Sequence, residues 1–400
     1  MKTSAKFYFL IVIEIFICFL FLYGCKSCNN SCKVVAGPPY TIFLEKEIDN
    51  IQLTNLTEIG STITYVPLET SEKSLLGDFL QIKASNSFIT VSDNQCNVLM
   101  FDDSGDFLRQ ITRKGRGPGE VSLLVRDYCF SLDGEKIYIL IENNRCLEYD
   151  VEGRFLDSYK LDSIPSQMLP LRENLFVFYT KNYPTNPVKQ SLIISDLNNN
   201  IQKTFRNHNK RINIPYIGTP GVPFYSYQGE IRFKELGSDT LFTVFEEELI
   251  PYAVLSLGKK KMNLDIPVNP GMSDNPLEQE GKIWVRDVFE DVDNIYIGFM
   301  KHDFHNMLFG YYNKQSNGVK VIGEDGFQNN IDGGLPFFPK FVYDDNILVS
   351  WVTAFDLREH VLNGNVSEKR RLYGQKYDDL VKLANSLDDQ SNPVVVIVKK

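Results

Sequence analysis

Residues 88–111, "FITVSDNQCNVLMFDDSGDFLRQI", read as strand, polar turn, strand, glycine-bearing turn, strand. Residues 137–161, "IYILIENNRCLEYDVEGRFLDSYKL", repeat that reading. Gly105 and Gly153 fall where a tight hairpin needs positive φ, which glycine adopts at no steric cost. A looser copy follows in "LFVFYT" from Leu175 and "SLIISDLNNNIQKTF", where Asn199 takes the glycine's place; asparagine also tolerates that backbone region. Further copies run from Glu230 to Gly258 and from Asn294 to Ile322, and another starts at Asn346. First strands placed at Phe88, Ile137, Leu175, Ile231, Ile295 and Ile347 are spaced about 52 residues apart on average, close to a propeller blade. Such a unit buries its apolar faces only against its neighbours, so a closed ring is the natural solution. The expectation is an all-β chain: a six-bladed β-propeller of four-stranded antiparallel blades.

Two strand-like runs stand outside the copies, "STITYVPLE" at 61–69 and "NPVVVIVKK" at 392–400. One or both are expected to complete a shared blade and lock the ring. A single helix, roughly Glu368 to Leu387, is expected just before the closing strand. Tyr373, Tyr377, Leu380, Val381 and Ala384 form one apolar stripe along it, which suits packing on the outside or bottom of the ring.

The N-terminus reads as an export signal over residues 1–24. Lys2 and Lys6 precede an apolar run from Phe7 to Leu22, interrupted by Glu14, marginal for a bilayer span of roughly 20 residues. Leu22-Tyr23-Gly24-Cys25 resembles a bacterial lipobox, with Cys25 as the lipidated residue, although Tyr23 is bulky for its place. The other reading is an uncleaved anchor. Residues 25–45 read as a flexible tether, polar at first and broken by Gly37-Pro38-Pro39, leaving 46–400 as the propeller. Cys28 and Cys32 do not make a metal site with Cys25, because a lipidated cysteine is no ligand and no fourth ligand is nearby; they pair or stay free. Cys96, Cys129 and Cys146 lie in strand-like runs and read as small core residues. The net charge of −9 argues against nucleic acid, while 28 Phe and 20 Tyr favour strands.

"ITVSDN", "MFDDSGDFLRQITRKGRGPGEV", "DTLFTV…PYAVLSLG" and "NPVVVIVK" resemble the six-bladed β-propeller family of bacterial lipoproteins, related to NHL-repeat propellers. Gly115 to Glu120 is the most specific element; the departure is Thr112-Arg113-Lys114, where a glycine commonly precedes. The resemblance covers about Thr62 to the C-terminus. It implies a fold and an envelope address, lipid-anchored at the outer membrane or periplasmic face, and no substrate.

Three regions carry candidate chemistry. Residues 111–121, "ITRKGRGPGEV", lack the Lys-Ser/Thr and following helix of a phosphate loop. They read as an inter-blade crossover, or as a loop presenting Arg113, Lys114 and Arg116 to an anionic group. The Pro/Gly-rich segments 215–229 and 333–341 bring Tyr216, Phe224, Tyr225, Tyr227, Phe337 and Phe338. These rings either stack on a ligand at the mouth of the ring or plug between blades. Among four histidines, His302 and His305 form H-x-x-H; on a strand they face opposite ways, unless a turn separates them. Asp93 reads as a turn residue bonding nearby N–H groups, and the paired carboxylates as solvated turns. No cofactor is expected. The function expected is a lipid-anchored binding or scaffold module for a glycan, peptide or envelope protein. The alternative is a metal-dependent lyase or hydrolase of the NHL-like type using His302 and His305.

Overall fold

The structure, a computed structural model, describes residues 37–400 apart from 79, 86, 181–189, 207–222, 236, 263–280 and 302–306. The chain first pairs at β1 (Tyr40–Ile42), then passes helix α1 (Leu44–Glu47) and reaches β2 (Thr62–Pro67). Blade 1 is β3 (Gln81–Ala84), β4 (Ile89–Ser92), β5 (Val98–Phe101) and β6 (Phe107–Gln110). A short parallel pair, β7 (Arg113–Lys114) and β8 (Glu120–Val121), leads to blade 2: β9 (Val125–Phe130), β10 (Lys136–Ile141), β11 (Arg145–Asp150) and β12 (Phe155–Lys160). Blade 3 is β13 (Gln167–Arg172), β14 (Leu175–Tyr179), β15 (Gln190–Ser195) and β16 (Ile201–Arg206). Blade 4 is β17 (Phe224–Tyr227), β18 (Glu230–Phe233), β19 (Thr240–Val244) and β20 (Leu249–Leu255), with β1 added parallel to β20. Blade 5 is β21 (Ile283–Glu290), β22 (Asn294–Lys301), β23 (Met307–Asn313) and β24 (Gly318–Ile322).

Blade 6 closes the ring. β25 (Phe341–Tyr343), β26 (Ile347–Val352) and β27 (Val394–Lys399) come from the C-terminal part, and β2 pairs antiparallel with β27 from Thr62↔Lys399 to Pro67↔Val394. Both outlying runs thus share one blade, as their sequence suggested. Ring closure by pairing distant chain segments removes the open edge of the sheet set.

Each copy begins one strand earlier than Phe88, Ile137 and their counterparts indicate. Those residues lie within one residue of the start of the second strands, and a first, innermost strand stands before each. The second strands are the apolar ones: β4 and β14 are buried throughout. Inner strands such as β13, with one buried residue, and β25, half-buried throughout, carry a weaker hydrophobic signal. Because successive strands alternate in direction, blade-to-blade crossovers and second-to-third-strand connections open on one face, here called upper.

Helices leave from that face between β26 and β27: α2 (Ala354–Leu362), α3 (Val366–Tyr373) and α4 (Gln375–Ser386). The single expected helix is therefore broken at Gly374, whose φ of 58° no helix contains, and is preceded by one that the sequence reading took for strand. Thr353 caps α2 by accepting from Asp356 N at 3.0 Å, and Asn365 caps α3 by accepting from Glu368 N at 3.2 Å. Leu357, Val361, Tyr377, Leu380 and Ala384 pack together with Val394, beside Tyr65 of β2. The helices therefore flank blade 6, from an upper-face connection.

Candidate functional site

The stretch 111–121 is held by its own glutamate. Glu120 Oε2 accepts from Gly117 N at 2.7 Å, and Gly115 N donates to Val121 O at 3.1 Å. The amide that an anion would need is already occupied by a carboxylate, and no helix follows; this is a crossover. Gly119 (φ 69°) faces the Phe155 ring, and Tyr149 Oη donates to Gly119 O at 2.5 Å. The loop therefore rests on the two outer strands of blade 2. Arg113, Lys114 and Arg116 are exposed there. Gly119→Ala should cost about 1–3 kcal/mol, since it adds backbone strain and overlaps Phe155. Gly134→Ala, with the same φ sign but open space around its Cβ, should cost about 1 kcal/mol in parallel urea titrations. Equal costs would show that Phe155 does not hold the loop.

The aromatic segments divide. Phe337 is 2% exposed and lies with Phe309, Phe327 and Tyr296 in the core between blades 5 and 6; the half-buried Phe338 ring meets Phe309 at 4.8 Å. They plug between blades rather than offer a ligand face, because the crossover to β25 folds inward there. Tyr225 and Tyr227 belong to the inner strand of blade 4. Tyr225 Oη donates to Glu290 Oε1 at 3.1 Å, and Tyr227 is buried under Arg232 and Lys314. Tyr216, His208, His302, His305 and Cys25 lie outside the described residues. The imidazole of His360 is taken by Lys369 Nζ at 2.9 Å. Among the described residues no group of three His, Cys, Asp or Glu could hold a metal. Asp93 is a turn residue: its carboxylate accepts from Gln95 N and Asn97 N at 2.9 and 3.0 Å, and from Gly77 N at 2.9 Å.

Glu290, at the lower end of β21, forms the densest polar cluster. Its fully buried carboxylate accepts from Arg232 Nε at 3.2 Å, Tyr252 Oη at 2.6 Å and Tyr225, and pairs with Lys314 Nζ at 2.5 Å. The Arg232 guanidinium lies 4.0 Å from the Tyr252 ring centre. Burial first, and then the Glu290 charge, keep both phenols protonated. Every member of this cluster is engaged by another, so it ties blade 4 to blade 5.

The upper wall of the channel is different, and its signal lay in a repeat that the sequence reading passed over. Val125-Arg126-Asp127 in β9 and Val285-Arg286-Asp287 in β21 are the same tripeptide. In both blades the pairing register slips there: Leu140 faces Asp127 while Ile141 faces Val125, and Gly298 faces Asp287 while Phe299 faces Val285. Each arginine is thus the extra residue of a β-bulge, a device that re-aims a side chain. Blades 2 and 5 stand three apart in a ring of six, hence across the channel from one another.

At blade 2 the charges are balanced locally. Asp127 accepts from Lys83 Nζ at 2.7 Å and Gln81 Nε2 at 2.9 Å, both on blade 1, and from Met168 N on blade 3 at 2.9 Å. Arg126 reaches the carbonyls of Pro165 and Glu142. At blade 5 cations gather. Arg286 Nε is 3.4 Å from Asp287. Lys234, which follows β18, is 6% exposed, and its ammonium donates to Val285 O at 3.3 Å. Lys340 precedes β25, is exposed, and sits 3.7 Å from the Trp351 ring centre. Burial lowers Lys234 to about 8, against the pull of Asp287 and Asp239. Although the residue as a whole is exposed, desolvation of its ammonium, which lies over the Trp351 ring, and then the Arg286 charge lower Lys340 to about 8. Glu235 is pushed up to about 7 by burial, against a Ser191 hydrogen bond. Gln167 Oε1 and Thr180 Oγ1, at the upper end of blade 3, are buried with no partner among the described residues.

A family described as a domain of unknown function, DUF4934, matches residues 39–399. The chain belongs to that family. Among solved structures, the DUF4934 chain is similar to a "Putative exported protein" of Bacteroides fragilis NCTC 9343, with 18% identity over 90% of this chain and 99% of that one, and a TM-score of 0.68. That likeness concerns the fold. The RRP9 WD40 repeats give 15% identity over 88% of this chain and 100% of that one, with a TM-score of 0.44. No curated protein matches the chain. No helix among the described residues is long and apolar enough to cross a membrane.

Proposed function

We propose that this DUF4934 propeller is an extracytoplasmic binding module, tethered through a lipid on Cys25, that holds a glycan, peptide or envelope protein at the upper mouth of its channel. The observation that carries the reading is the polar upper wall: bulged arginines on opposite blades, two lysines without a carboxylate partner, and buried polar atoms left unsatisfied. Buried polar groups ordinarily find partners, so an unsatisfied set suits a ligand that completes it. The lower cluster, by contrast, is internally satisfied and suits stability. The lipobox-like Leu22-Tyr23-Gly24-Cys25 supports the tether, and the likeness to a protein described as exported agrees with the address.

Two experiments test this. Full-length protein expressed in an envelope-bearing host should incorporate labelled fatty acid and sediment with membranes, and Cys25→Ala should abolish both. Incorporation unchanged in Cys25→Ala removes the lipid anchor. A glycan and peptide array should return a ligand whose retention falls when Arg126 is changed to Ala; retention on every hit indifferent to upper-wall substitutions moves binding elsewhere.

A further inference from the structure

The upper end of the blade 5 inner strand has a larger charge excess than the equivalent place in blade 2, by one lysine. Both bulges present one arginine and one aspartate. In blade 2 one lysine, Lys83, neutralises the aspartate. In blade 5 two lysines approach the same short segment, Lys234 from blade 4 through Val285 O and Lys340 from blade 6 beside Arg286. Asp287 is the carboxylate that attracts Lys234 and pairs with Arg286. Asp239 is paired with Lys261 at 2.9 Å, and Glu235 turns to Ser191 of blade 3. Lys340 has no acceptor among the described residues and rests on Trp351 alone. Cations gathered along one segment of a channel wall raise the local field, and a planar guanidinium with an ammonium beside it matches an oxyanion.

We propose that Lys340, Arg286 and Lys234 form an oxyanion-binding site at the upper end of blade 5, taking a carboxylate or phosphate group of the ligand. The site deepens the binding-module reading and rests on it. Arg286 keeps Asp287 as its orienting partner, while Lys340 is the accessible cation that meets the incoming anion. Trp351, half-buried beneath Lys340, holds the lysine in place. The match in blade 2 carries one cation fewer, and its Arg126 is engaged by the Pro165 and Glu142 carbonyls, so the anion is expected at blade 5.

The experiment titrates full-length protein with galacturonate and, separately, with inorganic phosphate, at constant ionic strength against sodium chloride, by calorimetry and thermal melting. One of the two probes should bind and raise Tm beyond the chloride control, and the arm that responds identifies carboxylate or phosphate as the group taken. Lys340→Met should weaken that binding about tenfold or more, the loss of one charge-assisted contact, and Lys340→Arg should restore it. Lys340 is exposed, so folding is not at stake; far-UV circular dichroism verifies this. No response to either probe, or equal binding by Lys340→Met, overturns the site. An array ligand that is held by Arg126 and indifferent to Lys340→Met also overturns it, while leaving the binding module standing.

Discussion

Replacing Glu290 with alanine is expected to lower stability by about 3–5 kcal/mol, because it leaves buried Lys314 without a carboxylate and buried Arg232 with only the half-exposed Glu230. Arg232 is 3% and Lys314 6% exposed, and both lose their direct carboxylate on blade 5. Two phenols, Tyr225 and Tyr252, lose their acceptor in the same step, and an orphaned buried donor carries its own desolvation cost. Tyr40 extends the effect to the N-terminal strand, since its ring packs at 5.5 Å from Tyr252. Urea unfolding measures the loss. Glu290→Gln should fall between, keeping the shape and some hydrogen bonds without the charge. The triple change Glu290→Leu, Arg232→Met, Lys314→Met should recover much of the deficit, because a buried ion cluster is often replaceable by apolar side chains of similar volume. A single-mutant cost below about 1 kcal/mol would mean that the cluster does not join blades 4 and 5. So would a cost removed by moderate salt, which screens exposed pairs far more than buried ones.

The ring was legible because its most buried strands recur about every 52 residues on average, followed in most copies by a turn glycine. "ITVS" and "LFVFY" are buried on both faces, since each central strand of a blade is covered by two neighbouring sheets. The same physics hid the inner strands. Gln81, Lys83, Asp127 and Gln167 sit on strands that face the channel, and their polarity made the segments look like connections. The phase of the repeat therefore slipped by one strand, and with it the Val-Arg-Asp duplication went unread, although it stands in plain text at 125–127 and 285–287. Aligning copies on turn glycines and then reading backwards would have exposed it. The helices failed for another reason. "TAFDLREHVL" follows an apolar strand without a break, and only the Thr353 cap, three residues before Asp356, marks the change. Phe337 and Phe338 were ambiguous because aromatic rings in a Pro/Gly-rich stretch serve a mouth or an inter-blade seam equally well; what decides is where the crossover bends. The loop at 111–121 was resolved by Glu120, whose role as an internal substitute for an anion needs the turn geometry to be seen.

Lys234→Met is expected to stabilise the protein at neutral pH, which is unusual for removing a side chain that nature has buried. The ammonium is 6% exposed and has a backbone carbonyl, Val285 O, as its acceptor. Asp287 and Asp239 attract it from blades 5 and 4, Lys261 repels it, and Glu235 beside it is itself held up near 7. Desolvation wins this balance and brings the lysine from 10.5 to about 8. The unfolded chain therefore binds the proton more tightly than the native one. Below about pH 8 both states are charged and the full penalty is present. As pH rises from 8 towards 10.5 the native lysine releases its proton first, so wild-type stability increases through that window. The gap between 10.5 and about 8 corresponds to about 3 kcal/mol. Met should gain roughly 2–3 kcal/mol at pH 7, with the advantage shrinking towards pH 10. Urea midpoints for both proteins across that range measure it. The same variant should bind the oxyanion probe more weakly, because a charge kept at such a cost is the mark of a site in which stability yields to binding. A Met variant that is less stable at pH 7, or whose advantage is independent of pH, would show that the native fold already neutralises Lys234 and leaves it nothing to offer a ligand.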